Sequence, residues 1–506
     1  MKIAIIGSGM AGLTTGARLA QAGHEVALFE QYHQVGGVTL PYERDGFRWD
    51  MGQLLVEGFG PDEPVGLILA ELGVADKIRV RKDDRGYVFP DFELKKPTDY
   101  GGFRWRIERL QEIFPGEKKG LERYWEDYVR FTRLMTIGRR LDHAGALKKI
   151  ELRARLYPSL VPFLSRLNWS AQQLMDSYFS NEKLKSVFIS ILADFFTPPS
   201  QFQGLGVFLI NAETSFDCRM PSEIEKDAAQ LYQYSVLGGI NTLVQALVEK
   251  FQQNGGKIFT NCTVARIKIV DGRVTAVEDR DGNRFPADVV VATGGAKETF
   301  FKLVGEELLP PDFARKVRNL PLMDSVFMVH LGLDYDPSPS LHGPVTYFYG
   351  TYDLEGGITQ VRQGVYHEGK DGFVVHVPSL HSPEMAPAGK HAMTIYTICP
   401  DRLKDGAWQE RRLEFADKLV EYAEQRIPGL RAHAIVRAIV TPEDFRARIL
   451  ADHHAFGGLA PWRGAARIPH QTPIAGLWFV GSQSESGGGI NSVIPGAYRT
   501  ALRIIK

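Results

Sequence analysis

Residues 3–12 of the chain read Ile-Ala-Ile-Ile-Gly-Ser-Gly-Met-Ala-Gly, and a helix-like stretch, residues 13–22, follows at once. The four apolar residues at the start are typical of a strand buried in a parallel sheet. The turn that follows has the spacing G-x-G-x-x-G. A second apolar run, residues 26–29, ends in Glu30. This order of strand, glycine turn, helix, strand and acidic residue predicts an α/β fold that binds a nucleotide.

The residue types in this turn suit a bound diphosphate. The first two glycines let the backbone turn sharply and come close to the ligand, the third lets helix and strand pack closely, and the helix N-terminus stabilises the anion. Glu30 is expected to accept hydrogen bonds from ribose hydroxyls, and a carboxylate there disfavours a 2′-phosphate. The nucleotide-binding residues predicted in this region are Gly7, Ser8, Gly9, Met10, Ala11, Gly12, Glu30 and Gln31.

Two further glycine sites follow this turn. Gly36 and Gly37 form a pair, and residues 45–52 read Asp-Gly-Phe-Arg-Trp-Asp-Met-Gly, ending at Gly52. Glycine at such positions lets the backbone pass close to a ligand. Taken alone, these two stretches fit ordinary loop turns equally well.

Together, the fingerprint, Glu30, the Gly36-Gly37 pair and the D-G-F-x-x-D-x-G stretch resemble FAD-dependent oxidoreductases of the amine-oxidase fold, in particular the phytoene desaturase, carotenoid isomerase and retinol saturase group. Residues 114–118, Phe-Pro-Gly-Glu-Lys, are similar to a segment common in the isomerase and saturase branches. The resemblance therefore spans much of the chain. It implies that FAD is the cofactor.

The resemblance also implies an architecture within the α/β class. A Rossmann-like FAD-binding domain of the amine-oxidase type is expected, with a discontinuous α+β substrate domain that contains a mixed sheet and inserted helices. The FAD-binding domain is expected to comprise residues 1–100, 225–300 and 455–506. The substrate domain is expected to comprise residues 101–224 and 301–454.

Two more predicted cofactor contacts lie in the middle of the chain. In the resembling family the equivalent of Val264 holds the adenine through its backbone, and we carry that role to Val264; otherwise it is an ordinary strand residue. Residues 287–296 form an apolar strand that ends in Thr293-Gly294-Gly295. This strand is similar to the second FAD-contacting strand of two-dinucleotide flavoproteins. Gly294 is therefore predicted to let the nucleotide pass close to the backbone.

A strand, glycine turn and helix recur near the C-terminus, over residues 476–505. Gly488 and Gly489 expose N–H groups at the start of the last helix, where they can stabilise negative charge on a reduced isoalloxazine ring. Many flavoproteins have an acidic residue where this chain has Ser482, which weakens the transfer of that one contact. The two chain ends are expected to meet at one flavin. The contacts predicted here are Gly481, Ser482, Gly488, Gly489 and Ile490.

The flavin supplies the redox chemistry, and one titratable group beside the ring is expected to move a proton. Glu485 lies next to the glycine cluster and is the catalytic candidate; a solvated loop carboxylate is the alternative.

No Ser/His/Asp or Cys/His arrangement is identifiable. The neighbouring His453 and His454 make a poor metal pair because adjacent residues on a strand point apart. No metal is expected. No second complete G-x-G-x-x-G opens a helix, which argues against a dedicated NAD(P)H domain.

Four functions follow from the residues and the resemblance. The first is desaturation or saturation of C–C bonds in a long hydrophobic, isoprenoid or carotenoid-like polyene. The second is redox-neutral cis/trans isomerisation of such a polyene with reduced flavin. The third is amine oxidation with the same cofactor. The fourth is a non-catalytic, prenyl-binding escort protein, against which the intact Glu30 and the C-terminal glycine cluster argue.

Two strongly apolar runs lie in a helical, mixed-charge part of the chain. They are residues 156–164, which Arg153, Arg155 and Arg166 flank, and residues 188–192. Each run can be core, line an apolar tunnel or lie on a bilayer surface. Peripheral membrane contact is thus left open.

The amino-acid composition limits the classes of partner and of cellular location that are expected. The 506 residues include 60 Lys and Arg and 60 Asp and Glu, so the formal net charge is zero, and nucleic acid is not an expected partner. The three cysteines are widely separated and form no C-x-x-C pair, which favours a reducing compartment. No secretory apolar segment opens the chain and no run of about 18 apolar residues occurs, so a cytoplasmic protein is expected. The expected partner is a hydrophobic small molecule. Nothing in the sequence indicates the oligomeric state.

Overall fold

The computed structural model describes residues 1–52, 54–143 and 145–506. Its first sheet, here called the parallel sheet, has five strands. All neighbours in it run parallel. Strands from the start, the middle and the end of the chain lie side by side, so the two chain ends meet as predicted. Their order across the sheet is Lys257–Phe259, Glu25–Phe29, Lys2–Ile6, Val289–Ala292 and Leu477–Phe479.

The parallel sheet is covered on both faces, which explains its continuous apolar strands. Every residue of Val289–Ala292 is buried. One face packs against three helices, Met10–Gln21, Asn241–Gln253 and Ile490–Ile505. The other face packs against a three-stranded antiparallel sheet. Its strands are Val264–Val270, Arg273–Asp279 and Arg284–Pro286.

A second sheet, here called the large sheet, has seven strands. Arg85–Val88 runs parallel to Val345–Tyr349, and the other neighbours are antiparallel, so the sheet is mixed. Residues alternate between its two faces. In Ser325–Leu333, Met328 packs among the inserted helices while Phe327 packs among the residues of the helix Trp408–Glu424. The order is Ala434–Val440, Ser325–Leu333, His391–Cys399, Gly372–His376, Val345–Tyr349, Arg85–Val88 and Glu93–Leu94.

The inserted helices cover one face of the large sheet. They bury Tyr124, Phe188 and Phe208 in a cluster with strand residues such as Tyr347. The apolar run 188–192 lies in this core, which bears out its interpretation as core. The run 156–164 is divided, because Phe163 is fully buried while Tyr157, Val161 and Leu164 are exposed. The helices are Trp105–Ile113, Lys118–His143, Ala146–Leu160, Ala171–Tyr178, Glu182–Ile189 and Gly206–Ile210.

Smaller elements connect these layers. The two-stranded sheets pair Tyr42–Arg44 with Phe47–Trp49, and Glu223–Glu225 with Ala228–Ala229. A three-stranded sheet joins Val56–Glu57, Gln233–Val236 and Val80–Asp83. The remaining helices are Pro64–Glu71, the π-helix Glu298–Gly305, Pro311–Arg318, Leu354–Arg362, Trp408–Glu424, Leu430–His433 and Pro442–Ile449.

The predicted α/β class, with a mixed second sheet and inserted helices, is confirmed. The strands Arg85–Val88 and Glu93–Leu94 belong to the large sheet although they fall within residues 1–100, for which the FAD-binding domain is predicted. The exact domain boundaries stay a prediction. Among the helices of the described residues, none is both long and apolar enough to span a membrane.

Candidate functional site

The first glycine-rich turn joins the strand Lys2–Ile6 to the helix Met10–Gln21. A Cβ atom placed on Gly12 would lie 2.0 Å from the carbonyl oxygen of Gly7, so the helix packs on the turn only because residue 12 has no side chain. A Cβ atom on Gly9 would meet no atom within 4 Å, and no side chain caps the helix. The first N–H groups of this helix are therefore available to an anion. Met10 and Ala11 are buried within it.

Glu30 follows the neighbouring strand directly and organises the turn beside it. Its carboxylate accepts hydrogen bonds from the backbone N–H of Ser8 at 3.0 Å and from that of Tyr32 at 2.8 Å. The hydroxyl of Ser8 also donates to this carboxylate, and accepts the N–H of Gly36 at 3.1 Å. Glu30 thus holds the first turn and the Gly36 loop together, which brings three predicted nucleotide contacts to one place.

The Gly36-Gly37 pair lies against the first turn. The φ angles of these residues are +136° and +60°, which glycine adopts without strain. A Cβ atom on Gly37 would lie 3.2 Å from the Cα of Gly9. Backbone from two separate loops therefore forms one surface, as a closely passing dinucleotide requires.

The other predicted contacts of the parallel sheet are found at the ends of its strands. Gly481 and Thr293 follow neighbouring strands, and a Cβ atom on Gly481 would lie 3.2 Å from the carbonyl oxygen of Thr293. A Cβ atom on Gly294 would meet nothing within 4 Å. Since Gly7 and Glu30 also follow their strands, these positions share the carboxyl edge of the sheet, where ligands bind in open α/β sheets. Val264 is buried at the start of a strand in the antiparallel sheet.

The C-terminal glycine cluster meets two distant segments. A Cβ atom on Gly488 would lie 1.6 Å from the carbonyl oxygen of Gly457, and one on Gly52 would lie 2.5 Å from the ring of Phe456 and 2.9 Å from the Cε of Met328. Both glycines are thus required by close approach. Met328 belongs to the large sheet, so the glycine cluster lies where the two main layers meet.

The residues around this meeting point complete the C-terminal turn. Gly489 is the N-cap of the helix Ile490–Ile505, with φ of +84°, and Ile490 is the first helical residue. The backbone oxygen of Ser482 accepts a hydrogen bond from the N–H of Leu459 at 3.1 Å. Ser482 therefore binds the segment around Leu459 through its backbone oxygen. The last helix begins after a glycine, as predicted.

Glu485 is exposed on the loop before this helix. Its carboxylate accepts a hydrogen bond from the backbone N–H of His470 at 3.0 Å and lies 3.3 Å from the Nδ1 of the same residue. Glu485 is therefore near Gly488 in the chain, but its carboxylate is engaged with the buried His470. Its catalytic role stays a prediction.

Arg448 is a residue that sequence reasoning did not identify. It lies in the helix Pro442–Ile449, which packs against the turn Gly37–Thr39. Its guanidinium lies 3.5 Å from the carbonyl oxygen of Leu40, and its Nε is buried without a hydrogen-bond partner. Burial lowers the pKa of this guanidinium, and the nearby Glu30 opposes that change. Among the described residues no carboxylate forms an ion pair with Arg448, so this half-buried cation suits an anionic ligand.

A cavity lies at the large sheet, beside the helix Leu354–Arg362. Tyr396 lines the cavity and packs on Phe456 with ring centroids 5.9 Å apart. Because Phe456 also contacts Gly52, one side chain separates the cavity wall from the meeting point of the glycine segments. Its lining is mainly apolar and aromatic and includes Ala193, Tyr347, Phe348, Tyr349, Leu354, Ile358, Phe373, Val374 and Ile398.

Comparison with known proteins supports a cofactor site at this place in the fold. A family model described as flavin containing amine oxidoreductase matches residues 10–505. The chain belongs to this family. The phytoene desaturase (lycopene-forming) of Pseudescherichia vulneris is 25% identical over 528 residues, covering 100% of this chain and 99% of the relative. Prolycopene isomerase 1, chloroplastic, of an Oncidium hybrid cultivar is 25% identical, with 99% of this chain and 83% of the relative covered.

Solved structures share the fold of this flavin-containing amine oxidoreductase. An oxidoreductase from Methanosarcina mazei superposes with a TM-score of 0.63 at 20% identity, and 99% of each chain is covered. The predicted resemblance to the phytoene desaturase and carotenoid isomerase group, the FAD cofactor and the assignment as an oxidoreductase are confirmed. The residues present fit FAD, because two uncapped helix N-termini and the close glycine backbones lie at one sheet edge.

Proposed function

We propose that this flavin-dependent oxidoreductase removes or adds hydrogen at C–C bonds of a long, apolar, polyene-like substrate. The observation that carries the proposal is the aromatic cavity whose wall packs, through Tyr396 and Phe456, on Gly52. The names of the relatives support a polyene, since a phytoene desaturase and a prolycopene isomerase are equally similar to this chain.

The chain would hold FAD along the carboxyl edge of the parallel sheet. The helix Met10–Gln21 would present its N-terminus to the diphosphate, and Glu30 would accept hydrogen bonds from the ribose hydroxyls. The helix Ile490–Ile505 would present its own N-terminus to the flavin end, since Gly488 packs on Gly457, whose neighbour Phe456 lies against Gly52. Further proposed contacts are Gly7, Ser8, Gly9, Met10, Ala11, Gly12, Gln31, Gly36, Gly37, Val264, Gly294, Gly481, Ser482, Gly489 and Ile490.

Arg448 would face the diphosphate from the opposite side of the Gly36-Gly37 loop. Its helix packs on Gly37–Thr39, and the backbone oxygen of Arg448 accepts a hydrogen bond from the Nε2 of Gln31 at 3.2 Å. An arginine bound to a phosphate gains charge-assisted hydrogen bonds, which satisfies its buried Nε. In this role Arg448 would complete the cofactor site, although it belongs to the part of the chain that is assigned to the substrate domain.

On the substrate side, the protein's own contribution is exclusion of water and orientation. When bound, FAD accepts or donates the hydride. Met328 and Phe456 place apolar surface beside Gly52, so water is kept from the region between the cavity and the glycine cluster. Tyr396 continues this surface into the cavity. A carbon chain in the cavity would therefore be aligned with its reacting bond toward Gly52.

Isomerisation without net redox change is the second candidate function, which the similarity to a prolycopene isomerase favours. The two reactions differ in the mass of the product. FAD-loaded protein is incubated with a polyene hydrocarbon in the absence of oxygen. One sample contains oxidised flavin, and a second contains flavin that was reduced beforehand. Desaturation or saturation changes the product by two hydrogens and changes the flavin absorbance. Isomerisation leaves the mass unchanged and requires the reduced flavin.

A cavity-filling variant connects either reaction to the cavity. Ala193→Phe is expected to abolish polyene turnover while the flavin spectrum stays as in the wild type, because Ala193 lines the cavity. Ala434→Phe, at the far edge of the large sheet, is the matched control and is expected to retain turnover. Turnover of small amines but of no polyene would overturn the proposal in favour of amine oxidation. Failure to take up FAD would favour an escort protein.

Peripheral membrane contact is a further part of the proposal. Leu147, Ile150 and Val161 are 86%, 66% and 58% exposed, and they lie on the helix Ala146–Leu160 and the turn after it. Lys148 and Lys149 are on the same helix. Exposed apolar side chains beside basic ones are typical of a helix that lies on an anionic bilayer surface. An apolar substrate would then enter from the bilayer.

A further inference from the structure

The cavity contains a polar cluster that an apolar substrate does not explain. Asp194, Tyr347 and Tyr396 all line it. The hydroxyl of Tyr396 donates to the carboxylate of Asp194 at 3.2 Å. Both tyrosines are nearly inaccessible to solvent. A buried carboxylate with phenol donors is costly to place in an apolar wall, so it indicates recognition of a polar group.

Three polar groups around this cluster are left without partners. Tyr349 lines the cavity, and its hydroxyl has no hydrogen-bond partner within the described residues. The same is true of the hydroxyl of Tyr87 and the Nε of Arg85. The rings of Tyr87 and Tyr349 meet edge to face at 5.3 Å, so these groups form one patch. Buried polar atoms are nearly always paired in folded proteins, and a hydrocarbon pairs with none of them.

The charges on this wall select the class of ligand. Burial raises the pKa of Asp194 to about 6, and hydrogen bonds from Tyr396 and Tyr347, followed by the charge of Arg85, oppose that increase. Arg85 donates to the carbonyl oxygen of Ile210 at 2.5 Å and has no carboxylate ion-pair partner in the described part of the chain. Asp353 and Asp371 also line the cavity, so negative charge predominates around it. A carboxylate would meet these like charges, and an ammonium would offer no acceptor to the unpartnered hydroxyl of Tyr349, so a neutral hydroxyl or carbonyl oxygen suits this wall best.

We infer that this cluster binds the oxygen of a hydroxyl or carbonyl group at one end of the substrate, with Tyr349 as the main donor. The inference rests on the proposed function and deepens it, because the substrate class becomes an oxygen-bearing polyene rather than a pure hydrocarbon. Tyr396 lies between the polar cluster and Phe456. The apolar part of the substrate therefore extends from the anchored oxygen toward Gly52.

Binding of matched polyenes tests the inference. The holoprotein is titrated with three all-trans polyenes of equal length that end in a methyl, a hydroxyl or an aldehyde group, and the dissociation constant is read from polyene absorbance. The hydroxyl and aldehyde compounds are expected to bind about tenfold more tightly than the hydrocarbon, the value of one good hydrogen bond. Tyr349→Phe is expected to remove this preference, so that the two oxygen-bearing polyenes lose affinity relative to the hydrocarbon.

Tyr335→Phe is the matched control. The hydroxyl of Tyr335 is also buried and unpartnered, but Tyr335 packs with the core on the opposite face of the large sheet. Equal affinities of the wild type for all three polyenes would overturn the inference, as would an equal loss for all three in Tyr349→Phe. Tighter binding of a polyene amine that Asp194→Asn abolishes would also overturn it.

The outcomes separate this inference from the proposed function. If the hydrocarbon is converted but binds as well as the oxygenated polyenes, the proposed function stands and the oxygen site fails. If an oxygenated polyene binds through Tyr349 but is never converted, the oxygen site stands and the proposed reaction fails.

Discussion

The guanidinium carbon of Arg448 lies 5.7 Å from the ring centroid of Tyr32. Tyr32 donates its backbone N–H to Glu30, so this contact connects the helix Pro442–Ile449 with the predicted ribose-binding carboxylate. A cationic group over an aromatic ring is fixed in position before any ligand arrives. Arg448 is therefore held near Glu30, beside the proposed nucleotide part of the cofactor site.

Replacing Arg448 by Gln is expected to weaken FAD binding about tenfold, because a charge-assisted bond to the diphosphate is lost. The measurement is quenching of flavin fluorescence on titration of the apoprotein. Riboflavin has no phosphate, so its affinity is expected to stay unchanged. Arg431→Gln, on an exposed short helix, is the control. An equal loss for FAD and riboflavin would show that Arg448 only supports the fold.

Gly12→Ala is expected to destabilise the protein by about 1–3 kcal/mol, since the new methyl group overlaps the carbonyl oxygen of Gly7. FAD affinity falls with it, because the turn must move away from the helix. Thermal unfolding and FAD titration check both effects. Gly138→Ala is the control: Gly138 lies in the helix Lys118–His143 in open space, and the exchange is expected to stabilise by about 0.5–1 kcal/mol. Wild-type stability of Gly12→Ala would contradict the close packing.

If Glu485 moves the proton, Glu485→Gln is expected to lower kcat about 100-fold or more, while FAD affinity and the flavin spectrum stay unchanged. The measurement is single-turnover reduction of the flavin by a converted substrate. Glu384→Gln, another exposed loop carboxylate, controls for a general effect of charge. Wild-type turnover of Glu485→Gln would leave Glu485 as the surface partner of His470.

Asp194 makes the stability of the protein depend on pH. Burial raises its pKa from 3.8 to about 6 in the folded state, so the folded protein binds the proton more tightly than the unfolded chain. The protonated carboxyl of Asp194 therefore adds to the free energy of unfolding fully below about pH 4, and this contribution is lost as the pH rises through about 6. Asp194→Asn is expected to remove this loss, which is about 3 kcal/mol at most. Urea unfolding at pH 4 and pH 7 measures it.

The same pH range includes a second buried carboxyl. Burial also raises the pKa of Asp50 to about 6, and Asp50 is present in both proteins. The difference between wild type and Asp194→Asn therefore isolates Asp194. An identical change in unfolding free energy in the two proteins would contradict the raised pKa of Asp194.

The protein is expected to float with vesicles that contain anionic lipid and to float less with neutral vesicles, because Lys148 and Lys149 lie beside exposed apolar side chains. The double variant Leu147→Glu/Ile150→Glu is expected to remain at the bottom of the gradient. Leu413→Glu is the control, since Leu413 is 67% exposed on a different helix. Equal flotation of the double variant would exclude this surface as the contact.

The glycine sites were predictable because their requirements are local. Gly7 and Gly12 meet within one turn, so the spacing of the motif already encodes the contact. Close packing of Gly488 on Gly457 involves more distant segments, yet the strand, turn and helix pattern still indicated the site. The family resemblance supplied the identity of the cofactor, which glycine spacing alone leaves open.

Arg448 and Asp194 were not predictable from the sequence, because their roles depend on which segments meet. Arg448 looks like any charged residue of a short helix until that helix packs on Gly37–Thr39. Asp194 ends a buried apolar run, and only the assembly of the large sheet brings Tyr396 and Tyr347 beside it, from two strands that flank Gly372–His376. The exposure of Val161 was unpredictable for the same reason, since the hydrophobicity of a side chain does not determine which other segments pack on it.

The parallel sheet takes its edge strand, Leu477–Phe479, from the last part of the chain. A ribosome makes residues in order, so this strand and the helix Ile490–Ile505 emerge after the other four strands of the sheet. The parallel sheet is therefore incomplete until residues 477–479 have been made. A chain that stops before Leu477 would lack this edge strand and the helix that we propose to face the flavin.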